Sequence, residues 1–177
     1  EAALRRLSVP ADASGHTHGF SVGDRVVVHP WLVRGWGGLA EYSLATTEFL
    51  VRLPDGVSFV SGAAVPCCGF TAYKALHAKM HVQPGRSILI SGAAGALGGF
   101  CVQLARLAGC TPVVALCSAA SNERVLALGA THTVDYKSDD LIAAIKATPG
   151  CEAGLDYIVD VVSGANAKKL AAAAGFD

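Results

Sequence analysis

The sequence predicts an α/β protein: an incomplete doubly wound parallel sheet preceded by a β-rich segment. Three observations carry that reading. Strand-like and helix-like stretches alternate through the second half of the chain. A glycine-rich turn joins the first such strand to its helix. The first third, by contrast, has β-branched runs and no helical period. Composition agrees. The hydrophobic share of the 177 residues is 52% and the charged share 16%, as expected of a sheet covered on both faces.

In the β-rich part, residues 1–19 read as irregular, with "ADASGHTHG" a surface loop. "FSVGDRVVV" gives a Gly-Asp turn and a strand at 25–28. "GWGGLAEYSLA" (35–45) is expected as a second strand, and "FLVRLP" ends at Pro54. After about residue 70 the character changes. "TAYKALHAKM" (71–80) reads as a helix ending at "QPGR". "SILISG" is then a strand. "ALGGFCVQLARLAG" (96–109) is a helix whose Leu97, Phe100, Cys101, Leu104 and Leu107 or Ala108 follow the i, i+3, i+4, i+7 spacing. "PVVALC" is a strand, and "SNERVLALG" a helix with Ser121 at its cap and Gly129 past its end. "THTVDY" is a short strand. "SDDLIAAIKATPG" is a helix capped by Ser138, with Asp139 and Asp140 at its positive end. "LDYIVDVV" is a fourth strand and "ANAKKLAAAAG" a last helix. Four strands fall short of the six of a complete dinucleotide-binding sheet, so the chain reads as a fragment. The division expected is 1–70 and 71–177.

Charge excludes several functions. Fourteen basic residues balance fourteen acidic ones, and no basic face suggests nucleic acid or acidic lipid. Residues 87–105 carry no charge, but their glycines would break a membrane helix, so no membrane partner is expected. Six cysteines without a CxxC point to free thiols in a reducing, cytoplasmic setting.

The chemistry concentrates in "SGAAGALG", with glycines at 92, 95 and 98 between an apolar strand and an amphipathic helix. Gly92 and Gly95 permit a tight turn and close backbone approach to a pyrophosphate. Gly98 and Gly99 remove side chains where helix meets strand. The free N–H groups of the helix start, helped by its dipole, face the phosphates. Gly92, Ala93, Ala94, Gly95, Ala96, Leu97 and Gly98 are therefore the candidate phosphate-binding residues of a Rossmann-like domain.

The end of the second strand selects the cofactor. An acid there would grip a ribose 2′-OH; "VVALCSAASNER" has Leu116 or Cys117 instead. Ser118, Ser121, Asn122 and Arg124 supply donors, and arginine suits a phosphate. NADP(H) is therefore expected over NAD(H). His77 and His81, four apart on a helix, and the loop residues His16 and His18 are read as solvated rather than metal-binding.

The run "AAVPCCGFTAYKALHAKMHVQPGRSILISGAAGALGGFCVQLARLAGCTPVVAL", with "VGDRVVV" and "GGLAEY" before it and "LGATHTVDYK" after, resembles the medium-chain dehydrogenase/reductase superfamily. The resemblance implies that residues 1–70 are the tail of a GroES-like catalytic domain and 71–177 part of a Rossmann NAD(P)-binding domain. It implies hydride transfer between a nicotinamide and a carbonyl, quinone or activated alkene. It also places Thr71 on the nicotinamide side and Tyr136 and Lys137 beside the adenosine phosphate. Two branches remain open. The short "WLVRGW", where a four-cysteine zinc lobe would sit, looks like the zinc-free quinone and enoyl reductases. Cys67, six residues before Tyr73, matches a zinc ligand of the alcohol dehydrogenases; its companions would lie upstream. No catalytic residue is assigned. A third reading is an inactive nucleotide-binding remnant. The expected partner is a small-molecule substrate, with a homo-oligomer if the protein is longer. The edge "LDYIVDVV" would make the isolated chain poorly soluble.

Overall fold

The computed structural model describes residues 19–29, 38–162 and 170–171. The chain divides into two compact units, Glu1–Cys67 and Cys68–Asp177.

In the first unit β1 (Val26–Val28) pairs antiparallel with β2 (Leu50–Arg52), Val27 opposite Val51. Arg25 fastens the chain that leaves this ribbon. Its guanidinium donates to the carbonyls of Pro54 (2.9 Å) and Asp55 (3.0 Å) and lies 4.7 Å from the Phe59 ring centroid. Ser58 then caps α1 (Phe59–Ala64), its hydroxyl accepting from the Ser61 N–H at 3.1 Å. The strand expected at 35–45 does not form among its described residues, 38–45. They are irregular and mostly exposed. They pair with neither β1 nor β2, so alternation alone does not make a ladder there.

The second unit is built on four parallel strands: β3 (Ile88–Ser91), β4 (Val113–Cys117), β5 (His132–Asp135) and β6 (Tyr157–Asp160). Their order is β5-β4-β3-β6, half of a doubly wound sheet. Every residue of β3 and β4 is buried, whereas β5 and β6 at the edges bury one residue each. The two faces follow the strand period of two. Ile88, Ile90, Val113, Ala115 and Val159 pack with Cys101, Val102 and Ala105 of α3 (Ala96–Leu107) and Val125 of α4 (Asn122–Ala127). Leu89, Val114, Leu116 and Val134 pack with Ile145 of α5 (Leu141–Lys146) and Leu170 on the opposite face.

Cys101, Cys110, Cys117 and Cys151 are free and buried. Burial pushes the Cys101 thiol up to about 11, which leaves it an inert apolar filler at neutral pH. No helix among the described residues is long and apolar enough to cross a membrane.

Three helix starts differ from expectation. α2 (Cys68–Tyr73) begins before Thr71 and continues as a wider π-type turn over Lys74–Lys79. Thr71, expected as the first residue of this helix, therefore lies inside it. Ser121 occupies the cap position of α4 but makes no cap hydrogen bond. A preceding 3₁₀ turn, Ala119–Ser121, has already placed it in helical backbone. Asp140, not Ser138, caps α5, accepting from the Ala143 N–H at 2.9 Å. Ser138 is engaged upstream, donating to the Asp135 carbonyl at 2.8 Å. Replacing Asp140 with Ala should therefore cost about 1 kcal/mol of stability, whereas Ser138→Ala should leave α5 capped. Urea unfolding of the two variants checks the order. The helix expected at 165–175 lies outside the described residues except at positions 170–171, which are helical.

Candidate cofactor site

The predicted glycine turn joins β3 to α3 at the carboxyl end of the sheet, beside the β3–β6 boundary where the strand order reverses. Ligands of open α/β sheets bind at that point. Gly92 leaves the strand with φ +65°, the left-handed region, and a Cβ there would lie 2.8 Å from methyls of both Val161 and Val162. The turn closes through Gly95 N–H to the Gly92 carbonyl at 2.9 Å. Gly95 is the cap of α3 and offers no side chain to the first-turn N–H groups. Those groups are left for an external acceptor.

The seven candidates do not share one surface. Gly95 and Ala96 are exposed, and Gly92, Ala94 and Leu97 are half-buried. Ala93 is fully buried, its N–H directed to the Leu116 carbonyl at 3.3 Å. Gly98 is buried against the turn. A Cβ on it would run into the Gly92 carbonyl oxygen and come within 2.8 Å of Ala93 Cα. Gly98 thus lets the helix start sit against the strand end.

A second group gathers at the carboxyl tips of β4 and β5. Ser118 Oγ is 3.2 Å from Ser121 Oγ. Arg124 is exposed on α4. Tyr136 is half-exposed, and its N–H meets the Cys117 carbonyl at 3.4 Å, stitching the two tips together. The Lys137 ammonium lies 5.7 Å from the Tyr136 ring centroid. Ser118, Arg124, Tyr136 and Lys137 therefore belong to segments that meet at one end of the sheet.

Two further residues stand at these tips, Asn122, expected as a donor, and Asp135, which was not a candidate. Asn122 Oδ1 accepts from the Cys117 thiol at 3.5 Å. Asp135 is the register partner of Cys117 and accepts the Lys137 N–H at 2.9 Å. The Cys117 thiol is raised by burial first and then by the Asp135 carboxylate, while Arg124 opposes the shift. A carboxylate and a guanidinium thus act together on one buried group. Asn122 is visible in the sequence as a donor near the strand end; Asp135 becomes a neighbour only once β5 is set beside β4.

The described residues do not fit a catalytic zinc. Such a site takes three protein ligands, and no three His, Cys, Asp or Glu come together among them. Cys67 is exposed. His77 packs against Tyr73, the rings tilted at 43° with centroids 4.7 Å apart. His16, His18 and the segment "WLVRGW" lie outside the described residues.

A family model described as zinc-binding dehydrogenase matches residues 96–175. Quinone oxidoreductase of Pongo abelii is 34% identical over 155 residues, 88% of this chain and 46% of that protein. A zinc-type alcohol dehydrogenase-like protein of Schizosaccharomyces pombe is 39% identical over 109 residues, 62% of this chain and 31% of that protein. Among solved structures, the CurK enoyl reductase matches with a TM-score of 0.77 at 27% identity, over 88% of this chain and 45% of that one. The chain thus spans at most about half the length of these relatives.

Proposed function

Because the chain belongs to the medium-chain dehydrogenase/reductase superfamily, we propose that it is the cofactor-binding portion of an NAD(P)H-dependent oxidoreductase of the quinone or enoyl reductase type. The observation that carries this reading is the β3–α3 turn, where Gly92 and Gly98 occupy positions that a Cβ would block. A packed backbone at the mouth of the sheet, with unpaired helix N–H groups beside it, is what a pyrophosphate needs. Enoyl reductase and quinone oxidoreductase are also the activities in the names of two relatives reported above.

The nicotinamide, when bound, supplies the hydride. This chain's residues bind and orient it. The N–H groups of Ala96 and Leu97 take the pyrophosphate, and Gly95 keeps side chains out of their way. Thr71 of α2 serves the nicotinamide side. At the β4 and β5 tips, Ser118, Arg124, Tyr136 and Lys137 hold the adenosine 2′-phosphate, which makes the cofactor NADP(H). The substrate is a quinone, an activated alkene or a carbonyl, reduced by hydride with a balancing proton from solvent.

Equilibrium titration of the protein with NADPH and NADH tests the binding reading. NADPH should bind more tightly, and Arg124→Ala should weaken NADPH about tenfold, the loss expected for one partly solvated charged hydrogen bond, while NADH changes less than twofold. Tighter NADH binding by the unaltered protein would overturn the NADP(H) assignment. NADPH oxidation driven by a quinone or an enone tests the activity; bound NADPH without turnover on either, or on an aldehyde, would leave a nucleotide-binding protein and end the enzyme reading.

A further inference from the structure

The end of β4 carries a cysteine, Cys117, where a dinucleotide fold that prefers NADH would carry an acid. The strand beside it ends in one. Asp135 closes β5 in direct register with Cys117. Paired residues of parallel strands point to the same face, and here that face is the one covered by α3 and α4, where Cys117 packs. The carboxylate is held in place: its Oδ1 accepts the Lys137 N–H at 2.9 Å, and the next residue's N–H is tied to the Cys117 carbonyl.

We infer that Asp135 is a cofactor-discriminating residue, an acid supplied to the ribose site from β5 instead of β4. It acts against the positive charge of Arg124 and Lys137. The inference rests on the dinucleotide reading of the β3–α3 turn and refines its preference for NADP(H). Two separate observations support it. Asp135 and the candidate 2′-phosphate residues Tyr136 and Lys137 occupy one three-residue run fixed to the tip of β4. The charge of Asp135 and the opposing charge of Arg124 are also both felt at the Cys117 thiol, so the two side chains share one electrostatic neighbourhood. A 2′-phosphate entering it meets repulsion from Asp135 as well as attraction from Arg124. A free 2′-OH meets an acceptor. The site therefore prefers NADP(H) only by the excess of cation over anion, and retains measurable affinity for NADH.

The test is the ratio of dissociation constants for NADH and NADPH, measured by tryptophan or nicotinamide fluorescence on the protein and on Asp135→Asn and Asp135→Glu. Asparagine keeps an oxygen for the Lys137 N–H and removes the charge. The ratio should move toward NADPH by about fivefold in Asp135→Asn, the size expected of a unit charge near a solvated phosphate, and the shift should shrink as salt rises toward 1 M. Asp135→Glu, which keeps the charge, should stay close to the parent ratio. An unchanged ratio in Asp135→Asn, or equal weakening of both nucleotides, would reduce Asp135 to a turn residue and overturn the inference. Failure of the parent protein to bind either nucleotide would instead remove the dinucleotide reading on which it stands. Tighter NADH binding by the parent would remove only the NADP(H) preference, and the direction of the Asp135→Asn shift would still decide the role of Asp135.

Discussion

Gly98→Ala should unfold the protein more readily and strongly weaken dinucleotide binding, although the same change in most helices stabilises. In an ordinary helix interior, replacing Gly with Ala gains about 1 kcal/mol through backbone entropy. At Gly98 the added methyl meets backbone: the Gly92 carbonyl oxygen, and Ala93 Cα at 2.8 Å. Neither can rotate away. The turn itself has no slack, because Gly92 stands at φ +65° against the methyls of Val161 and Val162, and Ala93 is buried and tied to Leu116. Relief requires α3 to move off the strand end, so the loss should reach about 3 kcal/mol, the upper end for overpacking. The phosphate-facing N–H groups move with the helix, and NADPH affinity should fall at least about a hundredfold, as expected when preorganised donors are displaced. Gly99→Ala is the control. Its Cβ would meet Leu128 Cδ1 at 3.3 Å, the end of a side chain that can turn, and the Ala93 carbonyl oxygen at 3.8 Å, an ordinary contact, so stability should change by less than about 1 kcal/mol. Urea unfolding and NADPH titration of both variants check the contrast. Equal stability of the two would show that the close approach at Gly98 is not what holds the turn.

The same turn shows why some of this molecule was legible in its sequence. A strand of apolar residues, a glycine run and an amphipathic helix are local patterns, and β3, the turn and α3 lie where they predict. The strands β4, β5 and β6 follow for the same reason, since βα alternation and two-residue periodicity need only nearby residues. Caps proved harder. Ser138, Asp139 and Asp140 are three adjacent capping residues, and which one caps depends on a hydrogen bond made by Ser138 to the chain behind it. The strand expected at 35–45 had suitable residues but, over 38–45, no described partner, and pairing is not a local property. The candidate site divides in the same way. The phosphate turn lies within one βα unit. The tip of β4 is completed by a residue of β5, and the register that brings Asp135 to Cys117 is set by packing across the whole sheet. Read along the chain, "ALCS" has no acid; read across the sheet, it has one beside it.

At the opposite, amino-terminal end of the sheet, Asp156→Ala should cost the second unit about 2–3 kcal/mol, the penalty for stranding buried donors that a charged group had satisfied. The Asp156 carboxylate accepts the Ser87 N–H and the Ser87 hydroxyl, each at 2.8 Å, and the Ser87 hydroxyl oxygen accepts the Asp156 N–H at 2.9 Å. Ser87 is buried. These bonds clamp the start of β3 to the start of β6, in addition to the ladder between the two strands. Arg86 adds an ion pair at 3.1 Å, but both side chains are substantially exposed, so most of the effect belongs to Ser87. The hydrogen bonds from Ser87, backbone first, hold the Asp156 carboxyl below its ordinary value, with the Arg86 charge a smaller contributor. The sign of the pH dependence follows. A carboxyl whose folded value is depressed binds fewer protons folded than unfolded, so its contribution is fully present above the ordinary aspartate range near 4 and is lost as pH falls through the folded value. The stability gap between the parent protein and Asp156→Ala should therefore be constant from about pH 8 to 5 and narrow below about pH 4. Thermal unfolding of both proteins across that range measures it. A gap that persists undiminished to pH 2 would show that packing of the side chain, and not its ionised carboxylate, joins the two strands.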